Sequence, residues 1–125
     1  MIITMSNNEI YQIFNNLMKQ FNNGEQKFPV KINFYLQKNK NTLMEFAQEI
    51  ETARLEIINS YGSPSEDNPG QYIIPPENIE IAQQELNELF ALEQDVNIYK
   101  LSIDDFPEDM SLTGNQMEAL LFMIE

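Results

Sequence analysis

The sequence predicts an α+β domain in the order α-β-α-α-β-α, with a central helical hairpin packed on a small antiparallel sheet. Three observations carry that expectation. Several windows repeat apolar residues at three- and four-residue spacing, as an amphipathic helix requires. Two others alternate apolar and polar residues, as a half-buried strand does. Clusters of Gly and Pro punctuate the windows. A chain of 125 residues suits a single domain over 1–125. It can close a core without a metal or disulfide staple.

The first helix opens on Ser6 and Glu9, an S-x-x-E capping box in which each side chain satisfies the other's backbone N–H. Ile10, Ile13, Phe14, Leu17, Met18 and Phe21 then share one face, and Asn22-Asn23-Gly24 stops the helix. Phe28, Val30, Ile32, Phe34 and Leu36 alternate with polar or partly polar neighbours, which predicts a strand. Pro29 marks its start or an edge. A long helix is expected over about 40–60, capped by Asn41 or by Thr42 with Glu45. Its core stripe is Leu43, Phe46, Ala47, Ile50, Ala53, Ile57 and Tyr61, and Gly62 ends it.

Residues 62–76 hold four of the six prolines and read as a Pro/Gly-rich loop insertion. A third helix follows over about 77–92, with Pro76 near the first turn, where a missing N–H costs little. Ile79, Ala82, Leu86, Leu89 and Phe90 face inward. Asp95–Ile103 reads as the second strand. Its alternation changes phase between Ile98 and Tyr99, so a bulge or twist is expected there. The two strands are expected to pair, covered by the hairpin of the second and third helices. After the acidic loop Asp104–Met110, Thr113 and Gln116 cap a last helix with Met117, Leu120, Leu121 and Ile124 on one face.

The chain contains no His and no Cys. That excludes a Ser-His-Asp triad, a cysteine nucleophile, a zinc finger and an iron–sulfur cluster of its own. Carboxylate acid/base chemistry and oxygen-bound Mg²⁺ or Ca²⁺ survive that filter. The net charge is −13, and it lies wholly in the C-terminal half. Residues 1–61 hold six acids and six bases, whereas residues 62–125 hold fourteen acids and only Lys100. Such a surface repels nucleic acid and anionic membrane and favours basic partners. The opening Met1–Ser6 lacks the charged and apolar regions of a signal peptide, so cytosolic synthesis is the expectation.

Asp104, Asp105, Glu108 and Asp109 place four carboxylates in six residues. The spacing lacks the Gly and closing Glu of a calcium loop, so a solvated acidic loop is the plainer reading than a cation site. Glu85 and Glu88 sit one turn apart on the third helix, without a His, Lys or phosphate loop to complete a catalytic pair. Tyr72, beside Ile73 and Ile74, is either a partner anchor or a tie that holds its own loop down. No catalytic, cofactor or metal residue is assigned, and no cofactor is expected. The partner-binding candidates are Tyr72, Asp104, Asp105, Glu108 and Asp109.

Three stretches carry a resemblance: Phe28–Ile32 with Leu36–Asn39, Glu77–Ile79 with Gln84–Leu89, and Leu112-Thr113 with Ala119–Glu125. In that order they resemble a family of small uncharacterised bacteriophage and prophage proteins encoded near tail and lysis genes. The resemblance implies a non-enzymatic virion, tail or assembly component located in the host cytoplasm or the virion. Its partners would be phage structural proteins or a second copy in a homo-oligomer. The charge asymmetry suggests an alternative, an acidic nucleic-acid mimic that blocks a basic host defence protein of the anti-CRISPR or anti-restriction type.

Overall fold

The computed structural model describes residues 1–21 and 28–125 and is an α+β fold with helices and two small antiparallel sheets. Strand β1 (Ile2–Ser6) leads directly into helix α1 (Asn7–Phe21). Helix α2 (Val30–Tyr61) is 32 residues long. A short hairpin, β2 (Ser63–Pro64) and β3 (Tyr72–Ile73), precedes helix α3 (Pro76–Ala91) and strand β4 (Glu93–Asn97). A 3-10 turn at Ile103–Asp105, helix α4 (Gly114–Leu120) and a 3-10 turn at Leu121–Met123 complete it.

The capping box at the head of α1 is in place. Glu9 N–H donates to Ser6 Oγ at 3.1 Å, and Ser6 N–H donates to Glu9 Oε1 at 3.3 Å. Ile10, Leu17 and Phe21 are buried as their spacing predicts. The expected stop at Asn22-Asn23-Gly24 lies outside the described residues.

The strand expected over residues 28–36 is instead the first two turns of α2. The alternating set contains a helical subset: Ile32 and Leu36, four apart, are buried, as are Asn39, Leu43, Ala47 and Ile50 beyond them. Val30 and Phe34 turn outward at 86% and 55% exposure, so the period of two never becomes a buried face. Pro29 sits at the N-cap, where its missing N–H is harmless, and its carbonyl accepts from Asn33 N–H at 3.0 Å. Asn41 and Thr42, expected as caps, therefore lie mid-helix. Asn41 Oδ1 accepts from Gln37 Nε2 at 3.0 Å, an ordinary i,i+4 contact.

β4 pairs with β1, which occupies the place expected for the 28–36 strand; Ile3 lies opposite Val96 and Met5 opposite Gln94. The change of phase near residue 98 marks the place where the chain leaves this sheet. Val96 and Ile98 are buried on one parity and Leu101 on the other. Between them, Asn39 on α2 clamps the Tyr99 backbone: its Nδ2 donates to the Tyr99 carbonyl at 2.9 Å and its Oδ1 accepts the Tyr99 N–H at 2.8 Å. Leu101 then bridges to Ile124 in parallel.

The main cluster joins β1 and β4 to α1, α2 and α4, with Ile10, Leu17, Ile32, Leu43, Ile98 and Leu120 fully enclosed. Asn7, itself buried, ties three elements together. Its Nδ2 donates to the Leu89 carbonyl at 2.8 Å, and its Oδ1 accepts from Gln94 Nε2 at 2.6 Å. Two expected core positions face solvent: Ile79 on α3 is 53% exposed, and Leu121 is 57% exposed because α4 tightens into a 3-10 turn there. Among the described residues, no helix is long and apolar enough to cross a membrane.

Candidate functional site

The acidic loop leaves the core at Leu101 and is built by local capping. Ser102 Oγ accepts from Asp104 N–H at 3.2 Å, and Asp105 Oδ2 accepts from Ser102 N–H at 2.9 Å. Phe106 N–H closes the turn on the Ile103 carbonyl, and Met110 N–H donates to the Pro107 carbonyl at 3.1 Å. Thr113 then starts α4 with its own capping box, exchanging bonds of 3.0 and 3.1 Å with Gln116. These two fixed turns hold the segment between them as a wall.

That wall borders an open cleft of about 270 Å³ lined by the apolar residues Ile103, Phe106, Pro107, Met110, Leu112 and Met117. Phe106, Met110 and Leu112 also lean on the main core, which anchors the cleft floor. Asp104, Glu108 and Asp109 alternate in sequence with the lining residues and are exposed. Asp105 is committed inward. Its carboxylate bonds Lys31 Nζ at 3.1 and 3.2 Å, besides capping Ser102. The Ser102 N–H first, and Lys31 second, hold its pKa below the usual aspartate value.

Tyr72 is not part of this site. It is half-buried on β3 and lines a depression of about 350 Å³ with Arg54, Leu55, Ile58 and Ile74 at the far end of α2. Lys31, which meets the acidic loop, and Arg54, which meets the Tyr72 depression, lie roughly 35 Å apart along the helix. Two other depressions are larger, about 480 and 510 Å³. The first is lined by α2 alone and is a furrow along one helix rather than an enclosing site.

Glu85 and Glu88 do not converge on a cleft. Glu88 is exposed and accepts from Gln84 Nε2 at 3.5 Å. Glu85 is half-buried beside Tyr61 and raises the phenol's pKa, by hydrogen bonding first and burial second. Its Oε2 atom is buried and has no hydrogen-bond partner among the described residues. The strongest electrostatic perturbation lies elsewhere, at Glu51. Arg54 grips it through bonds of 2.8 and 2.6 Å and Tyr11 donates to it at 2.8 Å. The Arg54 bonds, more than any other cause, bring the Glu51 pKa down to about 2. This triad joins α1 to α2, and its Arg54 also borders the Tyr72 depression. Among the described residues, no group of three or more carboxylates gathers to hold a metal ion.

The cleft lining was not singled out from sequence, although its signal was present. Apolar residues at 103, 106, 107 and 110 interleave with the acids, a pattern a purely solvated loop does not need. No known protein family, curated protein or solved structure matches the chain. This corrects the resemblance drawn above, and the bacteriophage, tail-assembly and anti-defence readings fall with it. The stretches that carried it are packing patterns, and the first forms an ordinary helix start here. Such patterns recur wherever an apolar face must be buried, so they carry no function by themselves.

Proposed function

We propose that this protein is a non-enzymatic binding module that captures a basic segment of another protein, seating one apolar side chain between Ile103 and Met117. The observation that carries the reading is a cleft lined by six apolar residues next in sequence to three exposed carboxylates, Asp104, Glu108 and Asp109. Apolar walls reward a buried side chain, and the carboxylates attract positive charge flanking it. The surrounding charge points the same way, since residues 62–125 carry fourteen acids against one base.

Magnitudes bound the affinity. Burying one Leu- or Phe-sized side chain contributes about 1.5–3 kcal/mol. Each exposed ion pair adds less than about 1 kcal/mol. The sum stays below about 6 kcal/mol, so a short segment binds no tighter than about 0.04 mM, and a tighter partner needs contacts beyond the cleft. The test is fluorescence anisotropy with a labelled peptide carrying one Phe flanked by two lysines on each side. Binding should saturate, weaken severalfold between 50 and 300 mM NaCl, and be lost in Ile103→Glu and in the double variant Glu108→Lys/Asp109→Lys. Binding that ignores Ile103→Glu, or none at several millimolar peptide, contradicts the proposal.

A further inference from the structure

The ladder between β1 and β4 leaves one edge open. Ile98 N–H donates to the Met1 carbonyl and Asn7 N–H to the Leu92 carbonyl, each at 2.8 Å. Residues 1, 3, 5 and 7 therefore spend their backbone groups on β4, and Ile2 and Thr4 direct theirs outward. Among the described residues, no hydrogen bond reaches the backbone N–H or carbonyl of Ile2 or Thr4. Ser6 N–H is taken by Glu9, so the open stretch ends there. The far edge is closed. Tyr99 continues the outward parity of Glu93, Asp95 and Asn97, and Asn39 holds its N–H and carbonyl, so a strand laid along β4 would run into α2. The open strand, Ile2-Ile3-Thr4-Met5-Ser6, carries no charge and no proline of its own, the usual guards of an edge. Acids stand beside it instead. Ile2, Thr4 and Ser6 share the solvent face with their partners Asn97, Asp95 and Glu93. Asp95 Oδ1 accepts from the Thr4 hydroxyl at 2.8 Å, and Glu9 Oε1 accepts from the Ser6 hydroxyl at 3.2 Å.

We infer that β1 is a docking edge for the basic edge strand of a folded partner, paired antiparallel with lysine or arginine opposite Thr4 and Ser6. Ile2 and Thr4 each exchange two backbone hydrogen bonds with the residue opposite, four in all, and the Ser6–Glu9 cap is left intact. The residues opposite Thr4 and Ser6 project on the solvent face. There a basic side chain, one strand spacing of about 4.8 Å beyond β1, reaches across to Asp95 and Glu93. The residue opposite Ile2 lies beside Asn97 and is uncharged, and the one opposite Ile3 turns to the core side and is apolar. Charge selects this occupant over a second copy, because β1 offers no cation and each molecule carries −13. Preorganisation selects a folded strand over a free segment. A flexible peptide loses backbone freedom at every residue it lays down, and four bonds that replace bonds to water return little. A strand already held in a partner's sheet has lost that freedom beforehand. The lysine-flanked Phe peptide proposed for the cleft therefore does not occupy this edge.

The test is a nuclear magnetic resonance titration of the ¹⁵N-labelled chain with a backbone-cyclised hairpin peptide, closed by Asn-Gly turns, whose one strand reads Lys-Val-Lys-Val-Thr. Amide shifts should centre on residues 2–6 and 93–97, the Ile2 and Thr4 amide protons should exchange more slowly, and binding should weaken severalfold between 50 and 300 mM NaCl. N-methylating the hairpin lysine opposite Thr4 blocks a backbone bond while leaving the protein untouched, and should weaken binding at least tenfold. The double variant Glu93→Gln/Asp95→Asn should weaken it about threefold to tenfold and flatten its salt dependence. Ile103→Glu should leave it unchanged, which separates this edge from the cleft. Unperturbed residues 2–6 at millimolar hairpin, equal binding of the N-methylated hairpin, or equal binding of a hairpin with glutamate in place of both lysines overturns the inference.

Discussion

Asn39 is fully buried, and its amide imitates a strand partner for Tyr99, giving one hydrogen bond and taking another. Replacing it with Ala leaves a Tyr99 N–H and carbonyl without partners at the point where the chain leaves the sheet. Tyr99 is 38% exposed and these bonds are part-buried, so water recovers some of the loss and Asn39→Ala should cost about 1–3 kcal/mol in urea unfolding. Glu51 makes a different kind of statement, because its effect depends on pH. Its pKa is lowered to about 2 in the fold, so its contribution is complete above the ordinary carboxylate pKa and fades as pH falls from about 4.5 toward 2. The Glu51 side chain is 36% exposed, and solvent screening keeps the contribution near 1 kcal/mol. Glu51→Gln should therefore be about 1 kcal/mol less stable than wild type at pH 7. That gap should close between pH 4.5 and 2 when denaturation midpoints are compared.

At the level of elements, helix starts give a clean contrast. Thr113 bonds Gln116 N–H as a cap, so Thr113→Ala should cost about 1 kcal/mol. Thr42 has the same spacing to Glu45 but lies inside α2, so Thr42→Ala should be neutral or slightly stabilising by helix propensity. Equal losses at both sites would argue for a helix boundary at residue 42. Gly62 ends α2 because the hairpin returns over it: a Cβ there would sit 2.7 Å from the Ile73 carbonyl oxygen and 2.9 Å from Ile74 Cγ1. Gly62→Ala should then lower stability by about 1–3 kcal/mol, the range for an overpacked site, as read by thermal unfolding.

The same elements show what was legible in the sequence. The helices with capping boxes, at 7–21 and 114–120, could be read directly because local chemistry and packing agree there, and the helix at 76–91 was marked by the proline at its first turn. Residues 28–36 misled because Ile32 and Leu36 satisfy a period of two and a period of four alike. Only the missing burial of Val30 and Phe34, a tertiary fact, separates the two. β1 was invisible for a related reason. Five residues give too few repeats to read, and its identity depends on β4, about 90 residues later. In the acidic loop the charged residues were evident, but the cleft they border exists only because α4 and the 3-10 turn bring Met117 against Ile103.

At the scale of the whole molecule, charge and apolar surface meet at the cleft. Around the cleft, acids border an apolar floor, and the account expects binding that salt weakens. The central claim is the cleft, and nuclear magnetic resonance titration of the uniformly ¹⁵N-labelled wild-type chain with the lysine-flanked Phe peptide tests it most directly. The expected amide shifts are confined to residues 103–117, centred on Ile103, Phe106, Met110 and Met117, and shrink as NaCl rises from 50 to 300 mM. Shifts centred instead on Tyr72 and Arg54, or an unperturbed 103–117 segment at several millimolar peptide, would contradict it.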